Sequence, residues 1–216
     1  MKTMREYVKK LQKLDRKHSL IQGDKVALYL SGSSDYHTAG LSRRQKNFMK
    51  IFAGLGYHVP NSNFPYNLAF PYEKKEQPPL WKAGISNVIY YQHTLWNSKL
   101  RYEFYRHLKP IEKAKEAVIV TSSSGLNILI ESIDYLDLSN TELTVFALGP
   151  VTRNHWKKEK GELIVFKGNV DYYTRFLDSH ETDYHIRSNH YNYCKSKKIK
   201  EVVYEWYEKR NEEKDK

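Results

Sequence analysis

Residues 117–130 read AVIVTSSSGLNILI, in which a short polar link joins two apolar runs. The first run, Val118-Ile119-Val120, is short and continuous, as expected of a strand buried on both faces of a parallel sheet. The second run begins at Leu126 and repeats apolar residues at helical spacing as far as Ile133. The link, Thr121-Ser122-Ser123-Ser124-Gly125, therefore predicts a tight turn from a buried strand into a helix.

The same alternation of strand and helix extends over most of the chain. Before this segment, residues 26–30 form a second buried-strand pattern, a helix is predicted near 41–54, and residues 57–59 begin another strand. Beyond it, the pattern predicts strands at 143–148, 163–166 and 183–187, and helices near 172 and over 199–206.

Strands that are separated by helices imply crossover connections between parallel neighbours. The predicted fold class is therefore α/β, with a mainly parallel sheet of about six strands and helices on both of its faces. A chain of 216 residues, 40% of them hydrophobic, can bury one sizeable core, so residues 1–216 are predicted to form a single domain. Within it we expect a basic amphipathic helix over 1–20 and an irregular aromatic segment over 60–82 that serves as a pocket wall or cap.

Composition excludes several classes of protein. No apolar run approaches the roughly 20 residues needed to span a bilayer, and residues 1–20 lack the apolar stretch of a secretory signal. Cys194 is the single cysteine, so it cannot form an internal disulfide, and the chain has no zinc-type spacing of Cys and His. We therefore expect a cytoplasmic protein without a structural metal or a cofactor.

The formal net charge is +11, an excess that is typical of proteins that bind nucleic acid, an anionic membrane surface or an acidic ligand. Much of the positive charge lies in the terminal segments 2–17 and 195–216. Both segments are predicted helices, and a run of charges on a helix is usually its solvated face. An anionic partner bound through the basic termini stays open, and nucleic-acid binding is a secondary alternative.

In open parallel sheets, the residues that act on ligands lie in loops at the carboxyl ends of the strands. After the strand at 118–120, a G-x-S-x-G pattern would expose a nucleophilic serine. Crowding in such a turn favours small residues two positions before and two positions after the serine. Of the three serines, only Ser123 has a glycine two residues after it, Gly125. Two residues before it lies Thr121. Taken alone, a serine cluster before a helix is more commonly an N-cap.

Two later strand ends carry an acid and a histidine. Asp171 follows the strand at 163–166, and His190 follows the strand at 183–187. Taken singly, Asp171 is more commonly a helix cap and His190 an ordinary surface residue. Together with Ser123 they give the chain order serine, acid, histidine, which is known from one class of hydrolases. Three residues compete for these roles from positions that do not directly follow a strand: His180, His185 and Asp178.

In these features the chain resembles the α/β-hydrolase superfamily from about residue 24 to residue 213. Val118–Gly125 matches the segment of the nucleophile, Leu163–Asp171 is similar to the strand and turn of the acid, and Ser188–Tyr191 is similar to the histidine turn. Lys25–Ser33 resembles the first strand and the oxyanion loop. Phe52–Val59 resembles the helix end and strand that follow, and Val145–Pro150 resembles the strand after the nucleophile's helix.

The resemblance implies a serine hydrolase that cleaves a small-molecule ester or thioester through an acyl-enzyme intermediate. Ser123 would be the nucleophile, His190 the base and Asp171 the orienting acid. The backbone N–H groups of Ser33 and Ser124 would form the oxyanion hole. The short chain leaves little room for a large lid, which favours an esterase of modest substrates over a lipase that works at an interface.

Aromatic residues in the 60–82 segment suggest a substrate with an apolar or ring-bearing group, although such rings equally often cover a core. These residues are Phe64, Tyr66, Phe70, Tyr72 and Trp81. Two departures from the superfamily pattern, Thr121 and the Ser31-Gly32 pair in place of the frequent His-Gly, keep a catalytically inactive binding protein on the same fold as the alternative.

Overall fold

The computed structural model describes residues 2–32, 36–72 and 96–214. Over these residues a single five-stranded sheet has its strands in chain order, and every neighbouring pair is parallel. The strands are β1 (Lys25–Ser31), β2 (Glu116–Ser123), β3 (Glu142–Pro150), β4 (Glu162–Gly168) and β5 (Tyr184–Ile186).

Helices cover both faces of this sheet. The described α-helices are α1 (Lys2–Lys13), α2 (Arg43–Gly54), α3 (Ser98–Leu108), α4 (Gly125–Ile133), α5 (Tyr172–Leu177) and α6 (Lys197–Lys214). Helices α1, α3 and α4 pack on one face, and α2 and α6 pack on the other. The predicted α/β class, with a parallel sheet between two helical layers, is confirmed.

Two hydrophobic cores lie on opposite faces of the sheet because successive side chains of a strand point in opposite directions. In β3, for example, Val145 belongs to the core beneath α1, α3 and α4, whereas Phe146 belongs to the core beneath α2 and α6. Both residues are fully buried. This double burial is why the strands read as continuous apolar runs in the sequence.

The predicted strand at 57–59 is reduced to one bridge. His58 pairs with Val26 in parallel orientation on the free edge of β1 and exchanges backbone hydrogen bonds with Lys25 and Ala27. Pro60 follows closely, and because proline has no N–H it cannot continue a ladder. The described sheet therefore has five strands where the sequence predicts about six.

The bridge at His58 identifies the switch point of the sheet, where the direction in which strands are added reverses. From β1 the chain crosses through α2 to His58 on one side, and then returns through α3 to β2 on the other side. In open α/β sheets, ligands bind at such a switch point, outside the carboxyl ends of the two strands concerned. The carboxyl ends of β1 and β2 are therefore the expected position of a site.

The terminal and middle segments differ in detail from the predicted pattern. The amino-terminal helix ends at Lys13, and a separate 3-10 turn follows over Arg16–His18. Of the five rings in the aromatic segment, Phe64, Tyr66 and Phe70 are buried in the first core and so cover it. Tyr72 is exposed, and Trp81 lies outside the described residues.

Candidate active site

The turn after β2 has the sharp geometry that the serine cluster predicts. Ser123 has a φ of 54°, in the left-handed region that residues other than glycine rarely adopt. The pairing register between β2 and β3 shifts between Ser122 and Ser123, and α4 begins at Gly125. Strain held at one residue by the surrounding structure is typical of functional sites.

Two glycines allow the end of β1 to approach this turn. A Cβ atom on Gly125 would lie 2.0 Å from the carbonyl oxygen of Leu30, and one on Gly32 would lie 2.1 Å from Ser124 Oγ. Neither position has room for a side chain. The glycine two residues after Ser123 is therefore required by backbone packing and not only by local turn preference.

The predicted histidine lies directly beside the serine. His190 follows β5, and its Nε2 is 3.0 Å from Ser123 Oγ. Its Nδ1 is 2.9 Å from Asp171 Oδ2. An imidazole whose Nδ1–H donates to a carboxylate presents Nε2 as an acceptor for the hydroxyl proton. The structure thus brings together the three side chains that the sequence places far apart.

Asp171 uses its two oxygens for different partners. Oδ1 accepts hydrogen bonds from the backbone N–H groups of Tyr173 and Thr174 and caps α5, while Oδ2 receives His190 Nδ1. Burial raises the pKa of this carboxyl, but hydrogen bonds from His190 and Tyr193 outweigh burial and hold the pKa below its ordinary value. Asp171 is therefore a buried carboxylate that stays charged at neutral pH.

Tyr193 is a functional candidate that the sequence reasoning missed. Its buried hydroxyl donates to Asp171 Oδ2 at 2.6 Å and accepts from the N–H of Gly168 at 2.8 Å. Burial and the neighbouring carboxylate raise the pKa of Tyr193. A Cβ atom on Gly149, where φ is 56°, would lie 2.4 Å from the Tyr193 ring, so this glycine makes the space that the ring occupies.

Thr121, two residues before Ser123, is fully buried inside β2. Its sheet neighbours are Leu30 and the small Ala147. Its hydroxyl oxygen has no hydrogen-bond partner among the described residues. The sharp turn at Ser123 forms with threonine at this position.

The structure describes one of the two residues whose backbone N–H groups are predicted to form the oxyanion hole. Ser124 follows the nucleophile candidate, is buried, and donates its hydroxyl to the Gly32 carbonyl at 3.4 Å. A Cβ atom on Gly32 would lie 2.6 Å from Ser124 N, so the loop after β1 runs against this amide. Ser33 lies outside the described residues and stays a prediction.

The competing residues occupy other surroundings. His180 Nδ1 is 2.8 Å from Asp178 Oδ1, and His180 Nε2 accepts from the backbone N–H of Trp156 at 3.0 Å. Lys167 also pairs with Asp178, at 2.8 Å. These contacts hold the segment after α5, and no described serine forms a hydrogen bond with the His180 ring. His185 is exposed on β5.

Cys194 is half-buried, and its thiol lies 3.6 Å from the Tyr29 hydroxyl. Burial raises the pKa of this thiol, which disfavours the nucleophilic thiolate. Over residues 2–32, 36–72 and 96–214, no group of three or more His, Cys, Asp or Glu side chains could hold a metal ion. In the same part of the chain, no helix is long and apolar enough to cross a membrane.

No protein-family model matches this sequence, and the comparison with curated proteins found no match. Among solved structures, the chain is similar to a "predicted CIB-like hydrolase" from Thermoplasma acidophilum, with 14% identity over 86% of this chain and 87% of that chain. The TM-score is 0.46. A likeness of this degree does not bear on the chemistry of the site.

Proposed function

We propose that this chain is a serine hydrolase of the α/β-hydrolase type, which cleaves a small-molecule ester or thioester. The observation that carries the proposal is the unbroken contact from Ser123 Oγ to His190 Nε2, at 3.0 Å, and from His190 Nδ1 to Asp171 Oδ2, at 2.9 Å. A serine, an imidazole and a carboxylate linked in this order are recognised by geometry and role, on whatever fold they occur.

Acylation would begin at the serine hydroxyl, which is a weak nucleophile until a base removes its proton. Ser123 Oγ would attack the carbonyl carbon while His190 Nε2 takes the proton. Asp171 would hold the imidazole in the required tautomer and stabilise the imidazolium. The tetrahedral intermediate would then collapse, and His190 would return the proton to the departing alcohol or thiol.

Deacylation would repeat these steps with water as the nucleophile. His190 would take a proton from the water as it attacks the acyl carbon. The bond from that carbon to Ser123 Oγ would then break, and His190 would return the proton to Oγ, which releases the acid product. The oxyanion of both tetrahedral intermediates would lie against the N–H of Ser124, at the positive end of the α4 dipole. The predicted second donor is the N–H of Ser33.

An activity-based probe tests the nucleophile directly. A fluorophosphonate should label the wild-type protein, Ser123→Ala should abolish labelling, and the neighbouring Ser122→Ala should retain it. Labelling that survives in Ser123→Ala would reject the assignment of the nucleophile. Absence of labelling in the wild-type protein would favour the alternative of an inactive binding protein on this fold.

Turnover separates the two hypotheses independently of the probe. An active enzyme should hydrolyse short p-nitrophenyl esters, and His190→Ala should remove this activity. His180→Ala is the matched control, because His180 also pairs with a buried aspartate but, among the described residues, forms no hydrogen bond with a serine. Equal loss of activity in both variants would indicate a general effect on folding.

A further inference from the structure

Helix α5 exposes its apolar side chains and buries a polar one. Phe176 is 76% exposed and Tyr172 is 65% exposed, whereas Thr174 is the buried residue of the helix. Surface helices ordinarily turn their apolar side chains toward the core. The reversed pattern leaves apolar area in contact with water, so burial of these side chains contributes little to folding.

The exposed side chains form a group next to the candidate site. We call this group the apolar rim: Val170, Tyr172, Tyr173, Phe176, Leu177 and Tyr191. Single exposed apolar residues are ordinary on protein surfaces, but a contiguous set marks a binding surface. Five of the six lie on α5 or immediately before it, and the sixth directly follows His190.

Two members of the rim pack on the imidazole itself. The ring centroid of Tyr173 is 5.0 Å from that of His190, and the centroid of Tyr191 is 5.6 Å away in a perpendicular orientation. His190 Nε2 faces Ser123, so a group attached to a carbon that Ser123 attacks would lie beside these rings. The rim is therefore continuous with the place where a substrate would react.

The rim is also held in a fixed position relative to the site. Asp171 caps α5 through Oδ1 and receives His190 through Oδ2, so one carboxylate positions both the helix and the base. A surface that is tied to the reacting groups in this way can orient a substrate. Because Thr174 is buried beneath the helix, the outward direction of Phe176 and Tyr172 is set by the fold.

We propose that the apolar rim binds the hydrocarbon or aromatic part of the substrate, so that esters with an extended apolar group are selected over acetate-sized esters. This inference rests on the proposed function. A second copy of the chain or a lipid surface would also cover Phe176 and Leu177. Either occupant would leave unexplained why Tyr173 and Tyr191 pack on the ring of His190.

The test measures kcat/KM for p-nitrophenyl octanoate and for p-nitrophenyl acetate. The quantity followed is the ratio of the octanoate value to the acetate value. The wild-type protein should prefer the octanoate. Because each buried methylene contributes to binding, we expect this ratio to fall about tenfold in Tyr173→Ala and several-fold in Phe176→Ser. Tyr204→Ser is the matched control, since Tyr204 is an exposed tyrosine on α6 outside the rim, and its ratio should not change.

The other outcomes overturn the inference in distinguishable ways. Acetate hydrolysis with a ratio that no rim variant changes rejects the inference and leaves the proposed function standing. Rim variants that alter only the sedimentation coefficient or only the binding to phosphatidylcholine vesicles assign the surface to a second copy or to lipid, against our proposal. A wild-type protein that neither reacts with the fluorophosphonate nor hydrolyses either ester rejects the proposed function together with this inference.

Phe176→Ser guards against a failure of folding. Its side chain lies largely in water, so its replacement should not lower the thermal midpoint. If Tyr173→Ala unfolds, the ratio in Phe176→Ser alone decides the matter. An unchanged ratio in that folded variant rejects the inference.

Discussion

At the scale of single residues, Asp171 shows how one side chain can satisfy two interpretations of a sequence. Aspartate at the start of a helix predicts a cap, and aspartate after a strand of a parallel sheet predicts a site. The two carboxylate oxygens point to different partners, so Oδ1 caps α5 while Oδ2 receives His190 and Tyr193. The cap also holds Oδ2 in place for the imidazole.

We predict that Tyr193→Phe changes the pH dependence of ester hydrolysis. Loss of the 2.6 Å hydrogen bond would make the Asp171 carboxylate more basic and so stabilise the imidazolium form of His190. In the proposed mechanism the base is a neutral imidazole, so the acid limb of kcat/KM should move to higher pH. At the plateau kcat/KM should change by no more than about fivefold, because one hydrogen bond contributes about 1 kcal/mol and the contact between Asp171 and His190 remains.

Tyr204→Phe is the control for Tyr193→Phe because its exposed hydroxyl lies outside the site. A purely structural Tyr193 would lower the thermal midpoint but leave the acid limb where it is. That outcome would contradict a positioning role.

Two sequence observations together select Ser123, Asp171 and His190: each follows a predicted strand of a parallel sheet, and the three occur in the order serine, acid, histidine. Neither observation could select Tyr193. Its contact with Asp171 depends on space left by Gly149, whose φ of 56° and close approach to the tyrosine ring are properties of the folded chain. A glycine after a strand and a tyrosine three residues past a histidine carry no such signal by themselves.

At the scale of elements, the β2–α4 turn concentrates the backbone strain of the site. Ser123 lies in the left-handed region, which costs an L-residue about 1–2 kcal/mol. Close packing of Gly32 and Gly125 against the neighbouring backbone keeps the turn in this conformation.

We therefore predict that Ser123→Gly is more stable than Ser123→Ala by about 1 kcal/mol, because glycine adopts a positive φ without steric cost. Both variants lack the hydroxyl and should be inactive. Their free energies of unfolding, measured by urea denaturation, test the difference. Equal stabilities would show that the turn relaxes when the hydroxyl is removed.

A second element-scale feature lies at the opposite end of the sheet, where Glu116 anchors α6. Its carboxylate is 2.7 Å from Lys214 Nζ, 3.0 Å from Lys25 Nζ and 2.9 Å from the Tyr57 hydroxyl. Burial raises the pKa of Glu116, but these hydrogen bonds outweigh burial and lower the pKa to about 2. The group joins the last helix to β1 and β2.

We predict that Glu116→Gln lowers the free energy of unfolding at pH 7 by about 1–3 kcal/mol. A folded pKa below the ordinary value of 4.5 contributes stability above that pH, and the contribution is lost as pH falls toward 2. The difference in free energy of unfolding between the wild-type protein and the variant should therefore shrink as pH falls from 4.5 to 2. Urea denaturation at several pH values measures it.

Glu201→Gln, which removes an exposed i,i+3 partner of Lys198, is the control and should change stability by less than about 0.5 kcal/mol. A deficit in Glu116→Gln that stays constant down to pH 2 would contradict the linkage.

The presence of the buried strands and helices follows from local patterns, although the first helix ends at Lys13 and the last extends over Lys197–Lys214, beyond the predicted 199–206. The exception is the strand predicted at 57–59. Its apolar residues fit a strand, but Pro60 and its position at the free edge of β1 allow only one bridge at His58. Edge pairing depends on neighbours that a local pattern does not contain.

At the scale of the whole molecule, the net charge is +11, and the helices differ in how many of their cationic side chains form ion pairs. On α6, several cations have carboxylate partners, whereas no ion pair within the described residues involves Arg43, Lys46 or Lys50 on α2. A count of charges therefore overstates the basic character of the carboxyl-terminal helix. An anionic partner of the terminal helices stays a prediction.

The fold class was predictable because alternating strands and helices are a property of neighbouring residues. The convergence of Ser123, Asp171 and His190 was predictable only through the rule that the carboxyl ends of parallel strands share one edge. Distances of 3.0 Å and 2.9 Å within this group come from the folded chain. The same holds for the apolar rim, since a sequence pattern does not show which face of α5 meets water.

Trapping an acyl-enzyme tests the proposed nucleophilic role of Ser123 most directly. Acid quench within one turnover of p-nitrophenyl acetate, followed by mass spectrometry of the intact protein and its peptides, should find one acetyl group per chain, on Ser123. Hydrolysis without any acyl group on Ser123, or with the acyl group on another side chain, would contradict the account.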